Sequence, residues 1–219
     1  KINDGFADSN VATVTVNVTL VVTETGDTSD GVCDGDCSLR EAIGAAKSRG
    51  TIIIPTGTYT LTRAEALTIK KSVTLKGAGS GDTIIQAATS EGVASWRVFV
   101  ISSGTNVSIS GVTIRHGKTS ANGGGIYNEG NLSLENSTVS GNTGYKGGGM
   151  YDNYGTVTLT NSTVSGNTSS DGGGGMYENQ GTVTLTNSTV SGNMASKGGG
   201  IYSSGGTVTL TNSTVSGNT

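Results

Sequence analysis

Proline occurs once in this sequence of 219 residues, histidine once and cysteine twice, and charged residues make up only 13% of it. That is not the composition of a helical globular protein. Nor do the 37 glycines make a collagen, because no Gly-X-Y period accompanies them. The net charge of −3 comes without any run of Lys or Arg, which argues against a nucleic-acid partner. Apolar stretches are only a few residues long, so no membrane insertion is expected. No signal peptide stands at the front, and Lys1 is not a natural start, so a processed or trimmed N-terminus is expected. A zinc site would need ligands beyond Cys33 and Cys37, and the one histidine, His116, is far from them in sequence.

What fills the chain instead is Thr, Ser, Asn, Val and Gly, which favour strands and tight turns. They form repeats. Asn-Ser-Thr-Val-Ser-Gly-Asn recurs at Asn136, Asn161, Asn187 and Asn212, and Gly-Gly-(Ile/Met)-Tyr recurs at Ile126, Met150, Met176 and Ile201, both at spacings of 24 to 26 residues. A degenerate copy precedes them, with Val107–Ile114 matching Leu132–Val139. Inside a unit the period is two, so Val157 and Leu159 point inward and the flanking threonines outward. A unit this small cannot bury its own apolar face and must stack coil on coil, about 4.8 Å apart. The prediction is an all-β parallel solenoid with about 25 residues per coil. Its inward columns are Leu132/Val157/Val183/Val208, Leu134/Leu159/Leu185/Leu210 and Val139/Val164/Val190/Val215. Asn136, Asn161, Asn187 and Asn212 are expected to form an amide ladder at a corner, facing inward and therefore closed to glycosylation despite their sequons.

One helix is predicted. Ser38-Leu39-Arg40-Glu41 is a capping box, Leu39, Ala42, Ile43 and Ala46 form an apolar stripe, and Gly50 supplies the stop. Such a helix would cap the N-terminal end of the stack. Just before it, Cys33 and Cys37 read as a local disulfide closing a loop, which fits a secreted protein.

Cys37-Ser-Leu-Arg-Glu-Ala-Ile43, followed by Ile52-Ile53-Ile54-Pro55 and Gly57–Leu61, resembles the CSLREA-type opening segment of large bacterial secreted proteins. The bodies of those proteins are pectate-lyase-like right-handed parallel β-helices, and the resemblance covers roughly residues 20 to 219. It implies a bacterial extracellular or cell-surface location, and most members have no assigned activity. Residues 1–20 are similar instead to the last strand of a bacterial cadherin-like domain. The implied organisation is an N-terminal strand segment over 1–22, an Asp/Cys loop with the capping helix over 23–50, and a parallel β-helix over 51–219.

Candidate site residues follow from the same stacking. Asp152 and Glu178 share a position in successive coils, on the order of 5 Å apart, near the separation that retaining glycosidases use. A polar turn column explains them as well, since Asn128 and Ser203 occupy that position in the other coils, and no catalytic residue is assigned. Arg97, Arg115, His116 and Lys118 lie in degenerate coils without an acidic cluster, and the catalytic motifs of β-helix lyases and polygalacturonases map onto no positions here. Tyr127, Tyr151, Tyr177 and Tyr202 follow an inward Ile or Met and are expected to face outward with accessible rings, either as a sugar-binding stripe or as a packing ladder. Asp27, Asp30, Asp34 and Asp36 crowd one oxygen-rich loop, a candidate Ca²⁺ site, although the spacing matches no EF-hand. Outward threonines at 158, 184 and 209 beside 160, 186 and 211 resemble the faces of ice-binding solenoids, but Ser133 and Glu135 break the pattern.

Uniform coils suit a non-catalytic stalk, adhesin or filament subunit better than a catalytic groove, which needs local asymmetry. Carbohydrate binding by the tyrosines and glycan cleavage by the two carboxylates are the alternatives. The alternating segment Val11–Val22 predicts head-to-tail homo-oligomers, with residues 10–22 adding to a neighbour's sheet more readily than to this chain's own first coils.

Overall fold

The predicted alternation is realised in strands such as Thr156–Thr160, in which Val157 and Leu159 are buried while the threonines are half-exposed. The computed structural model describes residues 18–219. Its strands stack in parallel into three long sheets of eight, seven and six strands, with one strand of each per coil. The result is a parallel β-solenoid of about seven turns, roughly 25 residues each. In one representative coil Asn131–Glu135 belongs to the eight-stranded sheet, Thr138–Ser140 to the seven-stranded and Met150–Asn153 to the six-stranded. All three predicted inward columns are in register, Leu134 opposite Leu159, then Leu185, then Leu210.

Between the first two strands of each repeated coil, such as Asn131–Glu135 and Thr138–Ser140, the chain turns in two residues. Asn136, Asn161, Asn187 and Asn212 each adopt φ near +50°, which asparagine tolerates better than other non-glycine residues. These asparagines are exposed, so the expected inward amide ladder is not theirs. At this corner the serines form the ladder: the Ser137 N–H donates to Ser162 Oγ at 3.2 Å and the Ser162 N–H to Ser188 Oγ at 3.1 Å.

The asparagine ladder exists one corner later, at the end of the same heptapeptide. Asn142, Asn167 and Asn193 are fully buried, and each Nδ2 donates to Oδ1 of the next, the last bond reaching Asn218 at 2.9 Å. A glycine in the left-handed region, Gly141, Gly166 or Gly192, precedes each. Beyond that corner the glycine runs bring successive coils into backbone contact. A Cβ on Gly149 would lie 2.6 Å from the Gly175 carbonyl oxygen, so only glycine fits.

The helix spans Leu39–Ala45, with the capping box formed in both directions: Glu41 N–H to Ser38 Oγ, and Ser38 N–H to Glu41 Oε2 at 2.8 Å. It buries Leu39, Ala42 and Ile43 against the N-terminal coils. The chain leaves the helix at Ala46 rather than Gly50, which instead starts the buried strand Gly50–Ile54. Cys33 and Cys37 are disulfide-bonded.

Most of the segment expected to reach a neighbour, and the cadherin-like stretch, lie outside the described residues. The part that is described, Thr19–Val21, pairs in parallel with Thr51–Ile53 of this same chain and forms the edge of the eight-stranded sheet. The alternation that makes it a good added strand serves equally to start the eight-stranded sheet at home.

Candidate functional site

Asp152 and Glu178 are paired across neighbouring strands, as the repeat predicts, but their side chains enter the coil interior. Asp152 is 2% exposed and Glu178 is 0% exposed. They belong to one inward column that starts at Ile69 and runs through Ile101 and Asn128 to Ser203. A general acid or nucleophile must touch its substrate, and neither carboxylate can. Both are members of a buried polar column.

Successive tyrosines of the same sheet are in register, and their rings stack with centroids 5.6, 5.2 and 4.9 Å apart from Tyr127 to Tyr202. Tyr151 and Tyr177 are only 7% and 6% exposed, contrary to the expected accessible stripe. One coil is the thickness of one ring contact, so each ring covers the face of the next. The Arg97 guanidinium sits 5.1 Å from the Tyr127 centroid, and Lys146 Nζ sits 5.0 Å from that of Tyr177. Burial lowers the pKa of Arg97 and raises that of the Tyr127 hydroxyl, which also donates to Glu129 at 3.0 Å. The packing-ladder alternative describes these residues.

The four aspartates of the loop do not converge. Asp27 forms a bidentate pair with Arg40, at 2.7 and 3.1 Å, and accepts the Thr62 and Arg63 N–H groups. Asp30 caps its own turn through the Val32 N–H. Asp34 and Asp36 interact with each other, which raises the Asp36 pKa. Among the described residues no three acidic, histidine or cysteine side chains gather as a metal site. Asp27 fastens the capping helix to the next coil instead.

The scattered cations are also occupied. Arg97 donates to the Asn122 and Gly123 carbonyls, Arg115 to Gln86 Oε1 at 2.9 Å, and Lys118 to the Gly92 carbonyl. His116 lies in a turn at φ +59°, with Nδ1 3.0 Å from the Ala88 carbonyl oxygen.

The surface concavity that sequence reasoning missed lies on the outward face of the eight-stranded sheet, where a shallow groove of about 390 Å³ runs from Arg49 to Thr158. Two rows line it, one of Ser72, Asn106 and Asn131 and one of Thr74, Ser108 and Ser133. It presents hydroxyls and amides with one guanidinium and no carboxylate. The substitutions Ser133 and Asn131, where later coils carry threonine, were its only trace in the sequence.

Residues 64–219 match the family model described as a right handed beta helix region. No curated protein matches the chain. Among solved structures, ORF18 of Geobacillus virus E2 is similar with a TM-score of 0.58 and 19% identity, over 90% of this chain and 42% of that one. A pectin methylesterase, PemA from Erwinia chrysanthemi, gives a TM-score of 0.48 at 18% identity, over 81% of this chain and 66% of that one. A pectin methylesterase mutant in complex with a hexasaccharide gives 0.42 at 12% identity, over 94% and 91%. At these identities the likeness is one of fold, and this chain spans less than half the length of the phage protein.

Proposed function

The chain belongs to the right-handed β-helix family, and from that premise we propose that it is a non-catalytic extracellular rod: a surface stalk, adhesin element or filament subunit. The observation that carries this is the burial of Asp152 and Glu178, which takes the two carboxylates that the repeat sets on consecutive coils out of reach of a substrate. Stiffness is supported by three ladders running along the axis, those of Ser137, Asn142 and Tyr127 and their successors. The disulfide supports an oxidising location, and no described helix is long and apolar enough to cross a membrane. End-to-end association of copies belongs to the same proposal. The test is twofold: negative-stain images of the purified protein, expected to show rods, and assays for reducing sugar and methanol released from pectin and polygalacturonate, expected to show no turnover. Turnover that disappears in Asp152→Asn would overturn the reading.

The groove from Arg49 to Thr158 favours a second reading, in which the rod also binds an extended polar glycan. Hydroxyl and amide rows at the coil spacing can follow successive sugars, and Arg49 can pair with an acidic group. An array of neutral and acidic glycans tests it, with binding expected to fall in Ser108→Tyr, which fills the groove.

A further inference from the structure

Inside the column Ile101, Asn128, Asp152, Glu178 and Ser203, two carboxylates occupy consecutive rungs. Rungs of a parallel sheet stand about 4.8 Å apart, and both side chains are out of water. Two ionised carboxylates that close and that desolvated are strongly disfavoured. Hydrogen bonding decides between them. Glu178 has donors on both oxygens, the Gly181 N–H on Oε1 and the Ser203 hydroxyl and Gly206 N–H on Oε2. Asp152 has one donor, the Asn128 amide at 2.6 Å on Oδ1, and its Oδ2 is buried with none. A Cβ placed on Gly181 would lie 2.3 Å from Asp152 Oδ2, 2.6 Å from the Gly155 carbonyl oxygen and 3.1 Å from the Gly155 nitrogen, so Oδ2 lies beside the Gly155 backbone and still has no hydrogen-bond partner. An oxygen so placed needs a hydrogen of its own.

We propose that Asp152 is a proton-binding site inside the coil, holding its carboxyl proton on Oδ2 toward the Gly155 carbonyl beside the Glu178 carboxylate, and that the coils between Gly155 and Gly181 loosen when this proton is lost. The step is an ionisation: the Oδ2–H bond breaks, the proton passes to solvent, and the electron pair stays on the carboxylate. Glu178, from Met176–Asn179, is the titratable group facing Asp152. Asn128, from Ile126–Asn128, faces it as a neutral amide. Lys146 and Glu129 engage the tyrosine row on the outward side of the sheet. Burial pushes the Asp152 carboxyl from its ordinary 3.8 up to about 6, the Asn128 amide pulling it down and the Glu178 charge adding to the rise. The folded chain therefore binds this proton more tightly than the unfolded one. Stability is full below about pH 4, falls as pH rises through about 6, and is then level. The gap corresponds to about a hundredfold in the unfolding equilibrium of these coils.

The test is thermal unfolding of the whole chain between about pH 4.5 and 8, with the Asp152 carboxyl carbon followed by NMR. Asparagine can stand in for the protonated acid, as Asn128 already does one rung away. Asp152→Asn should abolish the fall in melting temperature between about pH 5 and 7 and be the more stable protein at pH 7.5. Glu178→Gln should move the fall to lower pH. The proposal is overturned if the fall persists unchanged in Asp152→Asn, or if the Asp152 carbon titrates near 4. Should Asp152→Asn fail to fold, the wild-type titration and the Glu178→Gln shift decide the matter.

Discussion

The Asn142 side chain donates from Nδ2 to Asn167 Oδ1 at 3.0 Å one coil away, and Asn167 makes the same bond to Asn193 at 2.9 Å. Asn167 is saturated: its amide also reaches the Val139 and Ser165 carbonyls, and its Oδ1 accepts the Asn142 N–H. Removing it strands several buried partners at once, each loss costing about 1–3 kcal/mol. Asn167→Ala should therefore lower stability by about 3 kcal/mol or more, whereas exposed Asn161→Gly, which keeps the left-handed corner, should change it by less than about 1 kcal/mol. Urea unfolding of the two variants checks this, and equal midpoints would mean that the ladder carries no stability.

These two asparagines show what was legible in the sequence and what was not. The period of two in Thr156–Thr160 identified the inward columns of Val157 and Leu159, because strand parity is fixed by geometry. Parity does not survive a corner. A residue at positive φ, Asn136 or Gly141, resets it, and the residue that follows, Ser137 or Asn142, turns inward. The two asparagines of the heptapeptide are identical as letters, and only the corner separates the exposed one from the buried one. Asp152 and Glu178 need no reset: each stands two residues after the buried Met150 or Met176 of its own strand, and so shares its inward parity. Alternation sets the tyrosines opposite the inward Ile and Met, but their burial comes from neighbouring rings and Arg97, which periodicity within one coil cannot reveal.

Glycine positions separate into two kinds that substitution can distinguish. A Cβ on Gly174 would lie 2.4 Å from the Gly199 carbonyl oxygen and 2.5 Å from that of Met194, both backbone atoms that cannot swing away. Gly44 lies within the helix Leu39–Ala45, and nothing stands within 4 Å of a Cβ there. Gly174→Ala should push adjacent coils apart and lower the melting temperature sharply. Gly44→Ala should raise stability by about 0.5–1 kcal/mol through helix propensity. Calorimetry on both variants tests the assignment, and a tolerated Gly174→Ala would show that the coil contact is looser than described.

Inward and outward faces of one strand should respond oppositely to charge. Leu159 is fully buried between Leu134 and Leu185, so Leu159→Asp places an unpaired carboxylate in an apolar column and should abolish folding. Thr158, half-exposed at the end of the groove, should accept Asp with a change of less than about 1 kcal/mol. Circular dichroism of the purified variants checks both, and similar melting of the pair would contradict the parity of this sheet.

The N-terminal cap should lose stability in acid, the direction opposite to that of the Asp152 coils. Glu41 accepts the Ser38 N–H at 2.8 Å and the Asp30 N–H at 2.9 Å, tying the helix start to the disulfide loop. These backbone donors, that of Ser38 foremost, hold its carboxyl below the ordinary 4.5. A depressed carboxylate contributes stability above the unfolded-state value and loses it as pH falls through the folded one. Protonation of Glu41 removes the charge that both N–H groups point at and opens the capping box. Amide exchange at Ala42–Ala45, corrected for the intrinsic rate, should therefore quicken as pH drops below about 4.5, while the coils around Asp152 stay protected. Glu41→Gln should show that fraying at neutral pH with little further change on acidification. If wild-type helix protection is independent of pH down to about 3, the Glu41 carboxylate does not hold the cap.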